Sequence, residues 1–368
     1  MQTLSDRIDQ ANSLLAPYAV PHGTSLGREN PEEEDATRFP FQRDRDRIIH
    51  TQAFRRLKHK TQVFVVGKGD HYRTRLTHTM EVAQISRDMA RTLGLNEDLA
   101  ECIALAHDLG HPPFGHAGEE ALRQEMERHG STFEHNLQSL RVVTLLEERT
   151  KIHSGLNLNR EVLEGIMKHR TIFDRQSDDA LKRSPSLEAQ IVNLADEIAY
   201  TAHDSDDGLR AELFTVEDLL RVPLFAEAAL LCSKKQTEVR GNLIHLLVMD
   251  AYSETERRLQ AEHVQTLSDI YASKEEIVAF GSDVQSKLAE LRAFLWDHLY
   301  CAPAVREHAA KGQEILHEIF AAYEKTPPEK VHALQKKMGS TLPEAIKDYI
   351  AGMTDQFALE RATSTGAR

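Results

Sequence analysis

One ten-residue stretch constrains this chain more than any other: His107-Asp108-Leu109-Gly110-His111-Pro112-Pro113-Phe114-Gly115-His116. Three histidines and an aspartate sit where Gly110, Pro112 and Pro113 must stop a helix, because proline lacks an amide donor and restricts the residue before it. His107 and Asp108 fall at one helix terminus, so both can point at one metal ion. The breakers turn the chain back, which lets His111 and His116 face the same pocket. Packed as plain core, each imidazole and carboxylate would need a partner of its own.

Around this segment the pattern is helical almost throughout. Alternation suited to a strand is rare, and Thr61 to Val66 is the best short candidate. Helices are expected near 43–57, 77–94, 97–109, 117–129, 133–147, 160–169, 187–204 and 216–232, and then near 238–271, 275–299, 303–323 and 343–357. Asn96 before Glu97 and Asp98 reads as an N-cap followed by first-turn acids. Ser184 before Pro185 reads as an N-cap followed by an N1 proline. Residues 1–40 read as a partly flexible N-terminal arm, rich in Pro and Gly beyond residue 20 and acidic from Glu32 to Asp35. No solenoid-length repeat is present and no linker divides the chain. The expected fold is therefore all-α: a helical core over 41–215, a helical extension over 216–358 packed on that core and in oligomer contacts, and a tail over 359–368.

The net charge of −13 argues against a general nucleic-acid coat protein. The charge is uneven, however. Between Arg38 and Arg75 eleven Lys or Arg stand against three Asp. Such an island suggests a bound small polyanion, with a solvated helix face as the bland alternative. Phe39, Phe41 and Phe54 add a minor option, single-stranded nucleic acid. Cys102, Cys232 and Cys301 make no disulfide framework and fit a reducing cytosol. The first twenty residues lack a signal-peptide pattern, and no apolar run is long enough to span a bilayer. A cytoplasmic protein without a membrane partner is expected.

Two more elements supply metal-ligand chemistry. His78 heads the helical stripe His78, Val82, Ile85, Met89, Leu93, so it faces the interior. Taken alone, it would more often be a satisfied core histidine. Asp196 lies beside the apolar stripe Leu187, Ile191, Leu194, Ala195, Ile198, Ala202, and Tyr200 and Asp204 follow it at helical spacing. An aspartate against a buried stripe needs a partner, either an ion pair or a metal. The metal is the better account because three separate elements each present polar ligands from apolar faces. Two imidazoles and two carboxylates, His78, His107, Asp108 and Asp196, suit a divalent ion: Mn, Mg, Fe, Co, Ni or Zn. His116 and Glu119 share a helix face, so Glu119 can hold His116 in one tautomer. No Ser-His-Asp or Cys-His nucleophile pattern is found.

With these residues in place the chain resembles the HD-domain metal-dependent phosphohydrolases, and more closely the bacterial deoxynucleoside triphosphate triphosphohydrolase (dGTPase-like) family. The resemblance runs from about Phe41 to Leu209. It is carried by Arg43 to Ile48, Ala53 to Leu57, Lys60-Thr61-Gln62-Val63-Phe64, Arg73 to His78, His107 to His116, Phe133-Glu134-His135-Asn136 and Asn193 to Tyr200. The stretch Asp348-Tyr349-Ile350-Ala351-Gly352-Met353-Thr354-Asp355 is also family-like.

The resemblance implies hydrolysis of a deoxynucleoside triphosphate to a 2'-deoxynucleoside and inorganic triphosphate. Attack is at the α-phosphorus, and the bond to the 5'-oxygen is cleaved. It implies His116 acting at the scissile phosphate with Glu119, as general acid toward the leaving oxygen or in the reverse, water-activating role. Tyr200 and Asp204 are implied contacts of the sugar 3'-hydroxyl, with Gln62 near the sugar. Arg75, three residues before His78, can reach the same phosphate, and Lys168 with His169 and Arg170 is a second supply of cations. His111 is expected on the substrate side or behind the ligands. Glu134 and His135 are further candidates for lining the pocket. Glu197 stands where some relatives outside the bacterial group carry a basic residue. A homo-oligomer is expected by analogy with the family. The alternatives are another HD phosphohydrolase, acting on a nucleoside monophosphate, a cyclic nucleotide or a guanosine polyphosphate, and a nucleotide-binding sensor.

Overall fold

The computed structural model describes residues 2–23, 26–62, 73–169, 184–235 and 238–364. Among the described residues the secondary structure is helical, with three isolated bridges and no strand. Thr61 pairs with Thr74 in one such bridge. Residues 63–66 of the expected strand lie outside the described residues, and so does Arg170.

The Glu97–Ala106 helix lies at the centre. Its sequence is apolar or small on nearly every face, so it is buried all round, and only Glu97 and Glu101 escape. Pro40–Ile49, Arg75–Thr92, Arg160–Met167 and Leu187–Arg210 pack around it. Asn96 caps it as expected, accepting the Leu99 amide at 3.2 Å. The cap of Leu187–Arg210 is Ser186, not Ser184: its Oγ accepts the Ala189 amide at 3.3 Å. The Ser184 hydroxyl instead accepts from Gln190 Nε2 at 3.3 Å.

Several expected helices are broken for local reasons. The 43–57 helix splits at His50, because Thr51 caps a new short helix, Gln52–Arg56, by accepting the Phe54 amide. The 133–147 helix is His135–Arg141 followed by a widened π turn, Val142–Leu146. The 343–357 helix stops at Gly352 and restarts as Asp355–Ser364. Two helices escape the periodicity reading. Leu4–Asn12 starts from a Thr3/Asp6 capping box, and Glu329–Met338 ends at Gly339 with φ 62°.

Two hydrophobic cores result. The larger joins Ile103, Leu105, Ile191 and Ile198 to Leu224, Leu243, Leu247 and Leu291, so the first half of the extension shares the core of the site-bearing helices. The smaller joins Ala121, Leu122 and Met126 of the Gly115–Arg128 helix to Ile315, Leu316, Phe320, Ile346 and Ile350. Leu109 belongs to the first core and Phe114 packs against the second. The His107–His116 turn thus runs along the seam between them. Gly110 permits that path: a Cβ there would come within 2.2 Å of the Ser139 amide nitrogen. The arm is tied to the core as well, since Val20 is buried and donates its amide to Glu188 Oε1 at 2.9 Å.

Candidate metal centre and adjoining pocket

His78 comes from the first turn of Arg75–Thr92, His107 caps the end of Glu97–Ala106, and Asp196 lies in the middle of Leu187–Arg210. All are nearly inaccessible to solvent. His78 Nε2 is 2.8 Å from Asp196 Oδ1. His107 Nε2 is 3.5 Å from Asp108 Oδ1 and 3.9 Å from Asp196 Oδ1. The other nitrogen of His107, Nδ1, is 2.6 Å from the Ala104 carbonyl. A carbonyl can only accept, so the ring proton belongs on Nδ1 and the lone pair on Nε2. That Nε2 is buried and has no hydrogen-bond partner.

A lone pair between two buried carboxylates is unfavourable unless positive charge sits among them. Burial pulls the His107 pKa down to about 4 against the pull of both carboxylates, so the imidazole stays neutral and able to ligate. Burial opposes the Asp196 carboxylate too, but hydrogen bonds from His169 and His78 outweigh it and hold the pKa well below the ordinary range. Neutral nitrogen and carboxylate oxygen form a donor set that fits a divalent cation. His78, His107 and Asp108 present ligand atoms within 4.8 Å of one another, and so do His107, His169 and Asp196.

His169 is the member the sequence reading grouped only with nearby cations. Its Nε2 is 3.5 Å from Asp196 Oδ2, while Asn193 Oδ1, 2.8 Å from its Nδ1, orients the ring. The available signal was Asn193, one helical turn before Asp196.

Arg75 and His111 stand beside the cluster. Arg75 NH1 donates to Asp108 Oδ2 at 2.9 Å, but its Nε and NH2 are buried without a partner. His111 Nε2 is 3.2 Å from Asp108 Oδ1. His111 stacks on His135 with ring centroids 3.9 Å apart. His135 in turn meets the second carboxylate, Glu119. Its backbone amide donates to Glu119 Oε1 at 2.8 Å, and its Nδ1 is 3.1 Å from the same oxygen. Glu119 Oε2 lies 3.5 Å from His116 Nδ1. Burial raises the Glu119 pKa, yet His135 and His116 outweigh it and keep the carboxyl well below its usual range. His116 alone in this group is substantially open, with 46% of its side chain exposed.

One cavity gathers these groups. Its lining is Gln62, Arg75, His78, Asp108, His111, His116, His135, Asp196, Tyr200, Asp204 and Tyr300. His107 and Glu119 stand directly behind the lining. Lys168 does not join it: the buried ammonium donates to Glu164 Oε1 at 2.7 Å, one turn back on its own helix. Tyr300 comes from the extension, and nothing in the local sequence marked it. Its hydroxyl donates to Asp204 Oδ2. Burial pushes the Asp204 carboxyl up to about 7 despite that bond. Glu197 is occupied by an ion pair with Arg292, also from the extension.

The first four arginines of the basic island prove neutralised. Arg38 pairs with Asp35 and Asp46, Arg43 and Arg47 with Glu32, and Arg45 with Glu101. Three of those acids lie outside the 38–75 window, so the local count overstated the free charge.

The helices, the imidazole–carboxylate cluster and the open pocket define a metal-dependent phosphohydrolase of the HD class. Residues 75–201 match the HD domain, and residues 278–364 match the phosphohydrolase-associated domain. Relatives named deoxyguanosinetriphosphate triphosphohydrolase-like protein are similar over nearly the whole length. The one from Geobacter sulfurreducens is 47% identical across 94% of this chain and 93% of its own. Those from Azoarcus and Caulobacter vibrioides are 46% and 45% identical, with 94% of this chain covered in each case and 95% and 94% of their own lengths. The chain belongs to this family of deoxyguanosinetriphosphate triphosphohydrolase-like hydrolases. No helix among the described residues is long and apolar enough to cross a membrane.

Proposed function

We propose that the protein hydrolyses deoxynucleoside triphosphates to the 2'-deoxynucleoside and inorganic triphosphate. One observation carries the reading: ligand carboxylates and imidazoles, His116 and the Tyr200–Asp204 face of one helix all open on a single cavity. Asp196, His78, His107 and Asp108, with His169 beside them, hold the cation. When bound, the cation supplies positive charge to a phosphoryl group. Arg75 offers its unmatched guanidinium nitrogens to phosphate oxygens. Water attacks the α-phosphorus and the bond to the 5'-oxygen breaks. His116 gives that oxygen its proton. Glu119 stays ionised and fixes the orientation of the imidazole. Asp204 lies two turns beyond Asp196, about 12 Å along the axis at 1.5 Å per residue. That span suits a deoxyribose whose 3'-hydroxyl meets Tyr200 and Asp204, near Gln62. The Tyr200 ring leaves little room for a 2'-hydroxyl. The substrate belongs to the cytoplasmic nucleotide pool, and the extension supplies contacts of a homo-oligomer.

The test is incubation of metal-reconstituted protein with each dNTP and rNTP, singly and mixed, with product identification. Tripolyphosphate and a deoxynucleoside are expected. Release of orthophosphate or pyrophosphate from every nucleotide would overturn the reading. Light scattering is expected to give a mass above that of one chain at micromolar concentration, and a monomer throughout would remove the oligomer.

A further inference from the structure

The family-like stretch Asp348–Asp355 has no place in the pocket, yet it carries a dense set of buried polar contacts. Asp355 opens the last helix and is 4% exposed. Its Oδ2 accepts the Thr61 amide at 3.0 Å and also the Thr61 hydroxyl. Its Oδ1 accepts the Phe114 amide at 3.1 Å. Thr61 precedes Gln62, which lines the cavity, and Phe114 precedes His116 by two residues. Lys60 reinforces the join: its buried ammonium donates to the His111 carbonyl at 2.5 Å and the Ala351 carbonyl at 2.9 Å.

Phe114 itself needs holding. Its φ is 64°, in the left-handed region that a side chain disfavours, and Gly115 follows at 58°. Such a conformation persists only where the surroundings determine it. Asp355 Oδ1 fixes the amide on one side. On the other, the Phe114 side chain lies against Gly312, where a Cβ would come within 2.8 Å of it.

We propose that Asp355 is a positioning residue for the reaction, a single carboxylate that sets the Gln62 segment and the His116 turn at a fixed separation without touching substrate. The proposal rests on the triphosphohydrolase reading for its kinetics, but not for its geometry. Three donors on two oxygens require the carboxylate. An amide in its place would turn an NH2 group toward one of those donors and break one of the two ties. Misplacement of reacting groups by about 1 Å can cost on the order of a hundredfold in rate.

The experiment compares Asp355→Ala and Asp355→Asn in the full, metal-loaded chain. Hydrogen exchange at the Thr61 and Phe114 amides, metal content, kcat, KM and the pH profile are measured. Asp355→Ala is expected to exchange faster at both amides and to keep its metal. Its kcat should fall about ten- to a hundredfold with a raised KM. Asp355→Asn is expected to fall between this variant and the parent. A merely structural role would lower activity only in proportion to the folded fraction, leaving KM and the pH profile untouched, and that result overturns the proposal. Unchanged exchange overturns it too, as does faster exchange with parental kinetics. Should Asp355→Ala not fold, Asp355→Asn is judged by the same criteria. If the unsubstituted protein releases no tripolyphosphate, the triphosphohydrolase reading fails on that protein alone. Exchange at the two amides still decides the tie, and kinetics are then read on the phosphoester that is cleaved.

Discussion

Two buried charge clusters in this protein use similar residues and end in opposite states. The first surrounds Arg28, Arg47 and Asp44. Arg47 NH1 donates to the Leu156 and Asn157 carbonyls at 2.9 and 2.6 Å, and its NH2 meets Glu32. Asp44 takes Arg28 on one oxygen and both nitrogens of Asn159 at 2.8 Å on the other. No side-chain atom of these three is buried without a partner. The second cluster is the HD centre, where His107 Nε2 and two nitrogens of Arg75 are buried and unmatched. Buried polar groups that serve only the fold close upon themselves. At the HD centre the unmatched atoms converge on one cluster of buried carboxylates, which sets them apart from scattered single atoms such as Ser86 Oγ and Thr255 Oγ1.

The difference is broken most directly at Asp196. Asp196→Asn removes half the negative charge facing His78 and His107, and it is expected to abolish turnover and lower metal occupancy. Metal analysis by mass spectrometry alongside the product assay checks this, and unchanged metal and activity would sink the assignment. Arg47→Met probes the other cluster. It leaves Glu32 short of a partner and the Leu156 carbonyl unpaired, while Asn157 keeps Arg28, so stability should fall by about 2–4 kcal/mol in urea unfolding. The kcat/KM of the folded protein should stay within about twofold, because none of the partners of Arg47 lines the pocket. A large kinetic loss with little loss of stability would mean the two clusters are not separate in function. Asp204→Ala is the intermediate case. Loss of one hydrogen-bonding carboxylate should lower kcat/KM for a dNTP about ten- to a hundredfold, with metal content near the parent. Loss of the metal would move Asp204 into the cation site instead.

The same contrast explains what could be read from the chain. The quartet His78, His107, Asp108 and Asp196 was legible because each polar residue interrupts an apolar helical face. The Asn96 cap was legible because its chemistry is local. His135 was named only as a candidate for lining the pocket, and His169 and Tyr300 were not placed at the site: each is positioned by a tertiary contact, with Glu119, Asn193 and Asp204 respectively. No periodicity encodes such a pairing. Lys168 misled because a basic residue near the motif looks available, whereas Glu164 one turn earlier had already claimed it. The basic island misled in the same way, its acids arriving from Glu32, Asp35 and Glu101. The broken helices failed where one residue decides, as at Thr51 and Gly352.

The smallest effect is the most specific, because it asks whether Asp204 is held in the pocket at a cost to the fold. Its carboxyl titrates at 3.8 ordinarily and at about 7 when folded, burial outweighing the Tyr300 hydrogen bond. Between those values the native protein keeps a proton that the unfolded chain releases. Stability from this group is therefore full at low pH, declines as pH rises from about 4 to about 7, and is flat above. The slope is at most about 1.4 kcal/mol per pH unit. Asp204→Asn removes the titration, so the variant should match the parent near pH 4 and exceed it near pH 7. Taking the difference between their urea midpoints cancels the metal and histidine contributions common to both. Tyr300→Phe should move the parent's decline to higher pH, since the lost hydroxyl no longer favours the carboxylate. A flat difference curve would mean that Asp204 is an ordinary carboxylate in the folded protein. The buried acid in the pocket would then cost the fold nothing.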